Sequence, residues 1–324
     1  MLISVIIPAY NEEATIEKLL DSLLSNDYKD FEIIVVDDGS SDNTREEASR
    51  YPVILESTGG RKGPSAARNI GARRAKGDVL LFLDSDVVAP SHLLGHVVKR
   101  FETEPELKAI VGYYDKKPLN TGLFPRYKAL LAHYWFKDAK IMESFETCCG
   151  AIRKSVFDEA GGFDEKYADA DVEDYEFGYR ISKKGFIGVD HRMVVGHHFP
   201  SFGKNFMNYI RRAKLWMRIF IKRRKFESTA TTSGEGLTRV AGVGSIVFLL
   251  GGLFFRPFFV LGLVLFMFYV FKVSGFIRLV FREEVAFFAA FAFMTHLVNS
   301  FAVAIGVAMA LSGYLFSGIE SKDG

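Results

Sequence analysis

Two long apolar blocks constrain this chain before anything else does. Residues 240–271 carry one charged side chain, Arg256, and residues 285–316 carry none. About 20 apolar residues suffice to cross a hydrocarbon core roughly 30 Å thick, so this part of the chain is expected in a membrane rather than in a soluble core. As single helices, blocks of about 32 residues would rise roughly 48 Å, well beyond that thickness. Arg256 and Pro257 are expected to break the first block, because a central arginine costs about 2.5 to 3.5 kcal/mol and proline interrupts the helical ladder. The second block is interrupted only by His296, Asn299 and Ser300. Two to four membrane helices are expected within residues 237–318.

The formal net charge of +2 conceals a local asymmetry: residues 211–225 hold eight basic side chains and no acidic one, just before the first apolar block. The positive-inside rule then places the preceding half of the chain in the cytoplasm. Phe202, Phe206, Tyr209, Ile210, Trp216, Met217, Phe220 and Ile221 interleave with these charges. Such a mixture reads as an amphipathic segment lying on anionic headgroups, with a core helix of a soluble domain as the alternative. With a Ser/Thr/Gly-rich linker at 228–236, this segment is assigned to residues 203–236. Met1 leads directly into a strand-like run with neither a basic start nor a small-residue cleavage site, so a cytosolic start is expected. The only cysteines, the neighbours Cys148 and Cys149, cannot form a disulfide framework and are given no catalytic role.

The first third alternates strand and helix. Residues 3–7 form a continuous apolar run ahead of Pro8, as expected of a strand covered on both faces. Asn11 is placed as the cap of a following helix, with Glu12 and Glu13 in its first turn and Ile16, Leu19, Leu20, Leu23 and Leu24 on one face. A second buried strand at 32–36 ends in Asp37 and Asp38. A short strand near 53–56, a basic helix at about 65–76 and a buried strand ending at Asp84 follow. This order implies a parallel sheet whose ligands bind at the carboxyl ends of its strands. There, Asp84 and Asp86 offer the hard oxygens that a divalent cation needs while leaving positions for phosphate and water.

Six motifs sit in order around these strand ends: PAYNEE at 8–13, VDDGSSDNT at 36–44, ARN at 67–69, DSD at 84–86, GGFDE at 161–165 and EDYEFGYR at 173–180. As a set they resemble glycosyltransferase family 2, inverting enzymes of the GT-A fold, over roughly residues 1–215. The resemblance implies an α/β, Rossmann-like catalytic domain, assigned to residues 1–202. It implies that Pro8, Ala9, Tyr10 and Glu12 frame the nucleotide, that Asp38 contacts the base and that Arg68 lies near the nucleotide. It further implies that Asp84 approaches the ribose, that Asp86 ligates a divalent cation, Mg2+ or Mn2+, and that Asp174 is the general base. Gly161, Gly162, Asp164 and Glu173 are placed on the acceptor side. His197 and His198 fall where such enzymes close a loop over the diphosphate; His198 is placed as a further metal ligand, a structural or solvent-facing pair being the alternative. Arg61 and Lys62 are read as a solvated basic loop or a phosphate contact.

The chemistry stands beside that resemblance. A nucleotide-sugar donor carries a diphosphate leaving group whose developing charge a cation on Asp86 neutralises, and an acceptor hydroxyl needs one carboxylate to take its proton. Residues 169–180 supply five acidic side chains, so Asp171, Glu173 and Glu176 stand behind Asp174 as alternatives. The leading expectation is transfer of one sugar to a lipid or lipid-linked acceptor at the cytoplasmic face of a prokaryotic cell membrane. A processive polysaccharide synthase is the alternative enzyme, although residues 211–216 read RRAKLW where such synthases carry Gln-x-x-Arg-Trp. A non-enzymatic membrane protein retaining the nucleotide-sugar fold is the other class. Nucleic acid is not an expected partner, because the basic cluster adjoins an apolar block.

Overall fold

The computed structural model describes residues 1–167, 172–183, 185–226 and 232–316. The chain runs β1 (Ile3–Ala9), α1 (Ile16–Leu24), β2 (Phe31–Asp37), α2 (Thr44–Ser49), β3 (Ile54–Ser57), α3 (Pro64–Arg74), β4 (Val79–Leu83) and β5 (Val87–Val88). It continues through α4 (Leu93–Thr103), β6 (Ala109–Tyr114), α5 (Leu123–Phe136), β7 (Ile141–Met142), β8 (Cys149–Arg153), α6 (Lys154–Ala160), α7 (Glu173–Ser182) and β9 (Ile187–His197). Four helices close it: α8 (Phe202–Arg223), α9 (Ser233–Gly251), α10 (Arg256–Glu283) and α11 (Ala286–Phe316). Contacts divide the chain into two units, Met1–Thr121 with Trp135–Phe199, and Gly122–Tyr134 with Pro200–Gly324.

The first unit is built on a mixed sheet of order β3-β2-β1-β4-β8-β6-β9-β5, with β7 paired to β9. The first four of these strands are parallel, as the sequence pattern implies, but β8 enters antiparallel between β4 and β6. The apolar runs are continuous because both faces are covered. Ile3, Val5 and Ile7 pack with Leu19, Leu20 and Leu23 of α1, while Ile6 packs with Ala67 and Ala72 of α3 on the opposite face. Pro8 lies within β1 rather than after it. The ladder to β4 stops at Ile6 opposite Phe82, so the missing proline N–H falls where β1 is paired only with β2.

The first helix begins later than the sequence suggests. Asn11 adopts φ 56, and its side-chain oxygen accepts from the backbone N–H of Ser41 at 2.8 Å instead of capping α1. The Glu12 carbonyl accepts from Thr15 and Ile16, which leaves Glu12 and Glu13 in the connecting loop. That loop is therefore tied to the β2–α2 loop, and both stand at the carboxyl edge of the sheet.

In the second unit three helices, Ser233–Gly251, Arg256–Glu283 and Ala286–Tyr314, are long and apolar enough to cross a membrane. The first block does break at Arg256 and Pro257: α9 stops at Gly251 and α10 restarts at Arg256 with proline in its first turn. At 19 residues α9 rises about 28 Å, close to one hydrocarbon thickness. Helix α10 is longer, and Lys272, Arg278 and Arg282 lie in its second half. Helix α8 packs along α11 rather than standing alone. Residues 123–134, which the sequence pattern includes in the catalytic stretch, belong with this second unit: Lys128 of α5 donates to the Tyr209 hydroxyl of α8 at 3.1 Å, and Arg126 pairs with Glu284. Of the linker assigned to 228–236, residues 228–231 lie outside the described residues, as do 317 and 318.

Candidate active site

Three strands of the first unit, β4, β6 and β9, end around one polar constellation that α3 and α7 complete. Strand β4 is wholly buried and stops at Leu83, so Asp84 and Asp86 follow immediately at its carboxyl end. Arg68 of α3, 3% exposed, reaches across to it: one terminal nitrogen lies 3.0 Å from Asp84 and the other 2.9 Å from Glu173 on α7. Burial alone would lower the affinity of this guanidinium for its proton, but the two carboxylates outweigh it and hold it above its usual value. Desolvation pushes the Asp84 carboxyl above the ordinary carboxylate range, Arg68 opposes that shift, and the like charge of Asp86 adds to it.

Strand β9 delivers the imidazole, and it delivers His197 rather than His198. Its side chains alternate, so Met193, Val195 and His197 point inward and are buried while His198 is exposed. The His197 Nε2 lies 3.1 Å from the Asp86 carboxylate. His198 contributes only a backbone N–H, which donates to the Asp86 carbonyl at 3.1 Å. Tyr114, at the end of β6, stacks on the His197 ring at 4.1 Å, and its hydroxyl donates to Asp84 at 3.4 Å. Neither sequence motif nor charge pattern marks Tyr114; only the register of β6 against β9 brings it here.

Glu173 and Asp174 open α7, both buried. Through Arg68, Glu173 ties the start of α7 to α3 and to the end of β4. Asp174 uses one oxygen locally, accepting from the Tyr175 N–H at 2.9 Å, while its carbonyl accepts from Phe145. Glu176 is held by Arg180 at 2.7 Å, and Asp171 lies outside the described residues.

Several of the quoted motif residues serve as scaffold. Asn69 clamps Phe163 from both sides, donating to its carbonyl and accepting from its N–H at 2.9 Å each. Gly162, at φ +72, lies so close that a Cβ there would stand 2.6 Å from the Asn69 side-chain oxygen. Gly161 ends α6 in the left-handed conformation, and the Asp164 carboxylate accepts from the Lys166 N–H in a turn. Phe163 thereby enters a ring cluster with Phe82, Phe145, Phe157 and Phe177 that supports the start of α7.

At the nucleotide side, Pro8 and Ala9 pair with Val36 and Asp37, and Tyr10 follows half-buried. The Glu12 carboxylate accepts from the Thr15 hydroxyl at 2.5 Å. Asp38, 4% exposed, accepts from the N–H groups of Lys62 and Gly63 at 2.7 and 2.8 Å and from the Thr58 hydroxyl at 2.9 Å. The free thiols of Cys148 and Cys149 are buried, and burial pushes both pKa values up, so neither is a ready nucleophile.

Asp86 and His197 suit a divalent cation: a hard oxygen and an imidazole nitrogen side by side, with the buried His197 Nδ1 lacking a hydrogen-bond partner among the described residues. Among the described residues no three His, Cys, Asp or Glu side chains form a closed metal cage. A cation on these two residues would complete its shell with ligand oxygens and water.

The model of glycosyl transferase family 2 matches residues 4–161. Curated relatives include an Escherichia coli UDP-Glc:alpha-D-GlcNAc-diphosphoundecaprenol beta-1,3-glucosyltransferase, WfaP, 30% identical over 68% of this chain and 88% of that protein. Another, a validoxylamine A glucosyltransferase of Streptomyces hygroscopicus subsp. limoneus, is 30% identical over 57% of this chain and 48% of its own length. The chain thus spans about half the length of the first curated relatives it matches. Among solved structures, a mannosyltransferase from Pyrobaculum calidifontis, determined with GDP-Man and Mn2+, superposes with a TM-score of 0.59 at 20% identity over 95% of this chain and 86% of that one. That likeness fixes the fold as GT-A. The chain belongs to glycosyl transferase family 2.

Proposed function

We propose that this protein transfers a single sugar from a nucleoside-diphosphate sugar to a lipid-linked hydroxyl acceptor at the cytoplasmic face of a prokaryotic cell membrane, with inversion at the anomeric carbon. The observation that carries the reading is the convergence of Asp84, Asp86, His197, Arg68 and Glu173 at one edge of the sheet, with Asp174 next to Glu173 in the first turn of α7. Asp86 and His197 hold a divalent cation, Mg2+ or Mn2+, which when bound neutralises charge on the departing diphosphate. Arg68 and Tyr114 fix Asp84, which meets the ribose. Pro8, Ala9, Tyr10, Glu12 and Asp38 shape the nucleotide pocket. Asp174, on the first turn of α7, takes the proton of the acceptor hydroxyl as it attacks. The name of the Escherichia coli relative, with its diphosphoundecaprenol acceptor, and the three apolar helices support a lipid-linked acceptor. The basic run at 211–225 supports contact with an anionic leaflet and the cytoplasmic orientation.

The test is product analysis. Purified full-length protein in detergent is incubated with Mg2+ or Mn2+, a panel of sugar nucleotides, and polyprenyl phosphates, polyprenyl-diphosphate sugars or glycerolipids. The expected product is one lipid heavier by one sugar, of inverted configuration, formed only with the cation and lost in Asp86→Ala. A ladder of polymer lengths, or full turnover in excess chelator, would overturn the reading.

A further inference from the structure

The loop between β3 and α3, residues 58–63, has no part in the chemistry above, yet it is built with care. Gly59, Gly60 and Gly63 all have positive φ, a sequence that alone would suggest a slack connection. It is pinned instead. The Thr58 N–H donates to the Asp37 carbonyl at 3.1 Å, the Thr58 hydroxyl donates to Asp38 and to the Gly60 carbonyl, and the Lys62 and Gly63 N–H groups donate to Asp38. Gly39, at φ +76, lies against the same loop: a Cβ there would stand 2.9 Å from the Arg61 nitrogen. The backbone of Arg61 is thus set by a buried carboxylate and a close backbone contact, both from the end of β2.

What this bracing presents is a guanidinium over a ring. The Arg61 Cζ lies 4.2 Å from the centroid of Tyr10, at the carboxyl end of β1. Arg61 is exposed and Tyr10 is half-buried, so this stack forms the outer wall of the nucleotide side. A planar guanidinium and a nucleobase compete for the same face of an aromatic ring, and each can also stack on the other.

We propose that Arg61 is the nucleobase clamp of this enzyme: the base enters between Tyr10 and Arg61, exchanging one stacked contact for two. Asp38 then acts as a positioning residue that holds the loop from which Arg61 reaches. This rests on the proposed nucleotide-sugar donor and adds to it which residue closes on the base. Because the clamp grips the base and not the phosphates, its loss raises KM for the donor and leaves kcat nearly unchanged.

The test measures binding of UDP, GDP and inorganic pyrophosphate to the full chain in detergent with Mg2+, by calorimetry, for wild type and Arg61→Ala, with donor KM and kcat alongside. The expected result is a Kd for the tighter nucleotide raised about two- to fivefold in Arg61→Ala, the order of one exposed stacking contact, with pyrophosphate binding unchanged. Arg61→Lys, which keeps the charge and loses the plane, recovers only part. Thr58→Val weakens nucleotide binding in the wild-type background but adds nothing once Arg61 is alanine. Nucleotide binding unchanged or tightened by Arg61→Ala would overturn the proposal, as would an equal loss for pyrophosphate, which would make Arg61 a phosphate ligand. Both outcomes leave the donor reading standing; a wild-type protein that binds neither nucleotide would sink that reading and the clamp with it.

Discussion

Arg68 and Arg239 are both buried guanidiniums, one in each unit, and each holds a carboxylate at under 3 Å. Every nitrogen of Arg239 is engaged. Its Nε and one terminal nitrogen go to Glu235 at 3.0 and 2.6 Å, and the other donates to the His296 carbonyl at 3.1 Å and faces the Ser300 hydroxyl at 3.4 Å. Tyr269 then meets the His296 ring at 2.8 Å, so one network ties α9, α10 and α11 together. Arg68 joins Asp84 to Glu173, but its Nε is buried without a hydrogen-bond partner among the described residues, and around it stand Asp86 and His197 with capacity to spare. A buried ionic cluster with every nitrogen engaged fixes helices against one another. One with unspent donors and acceptors is a place where a ligand completes the set. The difference separates structural charge from working charge without reference to any relative.

Asp174→Asn should give the largest effect. The amide keeps the shape and removes the base, so transfer should fall roughly 10² to 10⁴-fold while nucleotide binding survives. Single-turnover assays with saturating donor check this; a near-normal rate would return the role to Asp171 or Glu176.

Next come the two arginines themselves. Arg239→Met leaves the half-buried Glu235 with the His296 Nε2 at 3.6 Å beside it, which should cost about 1 to 3 kcal/mol of stability with nucleotide affinity unchanged in whatever protein remains folded. The double change Glu235→Gln with Arg239→Met should recover most of that loss, because the whole pair is then removed. Arg68→Met should instead lower both thermal stability and nucleotide affinity. Melting curves with and without UDP or GDP separate these outcomes, and an Arg239→Met protein that melts normally but binds nucleotide poorly would erase the distinction drawn here.

The same contrast explains which parts could be read from the sequence. Asp84 and Asp86 are legible because a strand end is a local event: an apolar run stops and two carboxylates follow. Three-dimensional parity is not local. Residues 193–195 are Met, Val and Val, so nothing in the apolar pattern says which alternate set faces inward, and with that the choice between His197 and His198 is hidden. The start of α1 is not legible locally, because the partner of Asn11 is Ser41, 30 residues away. Tyr114 needed the pairing of β6 with β9, and α5 needed the packing of its Tyr127 on Phe276 and Asn299 to show that it belongs with the second unit. The break at Arg256 and Pro257 was legible because it rests on backbone covalent geometry and charge cost alone.

The smallest predicted effect concerns a third buried charge, Asp190 in β9, 5% exposed. It accepts from the Arg192 N–H at 2.9 Å, meets the His96 Nε2 at 3.0 Å and pairs with Arg100. Like Arg239 it is fully engaged, so by the argument above it is structural. Desolvation works to raise its carboxyl, yet the Arg192 N–H, His96 and Arg100 hold it below the usual carboxylate range. A carboxyl depressed in the folded state contributes stability that is fully present above its unfolded value, about 3.9, and is lost as pH falls through the folded value. Asp190→Asn should therefore melt a few degrees below wild type at pH 6 to 7, for a loss of about 1 to 3 kcal/mol, and the gap should close as pH drops below about 4. Nucleotide affinity should not change at neutral pH. Paired melts of full-length protein from about pH 2 to 7 check the sign: a gap that stays constant through the acid end of that range would mean that Asp190 acts by shape and hydrogen bonding alone, while an altered nucleotide affinity would show that full engagement of a buried charge does not mark it as structural.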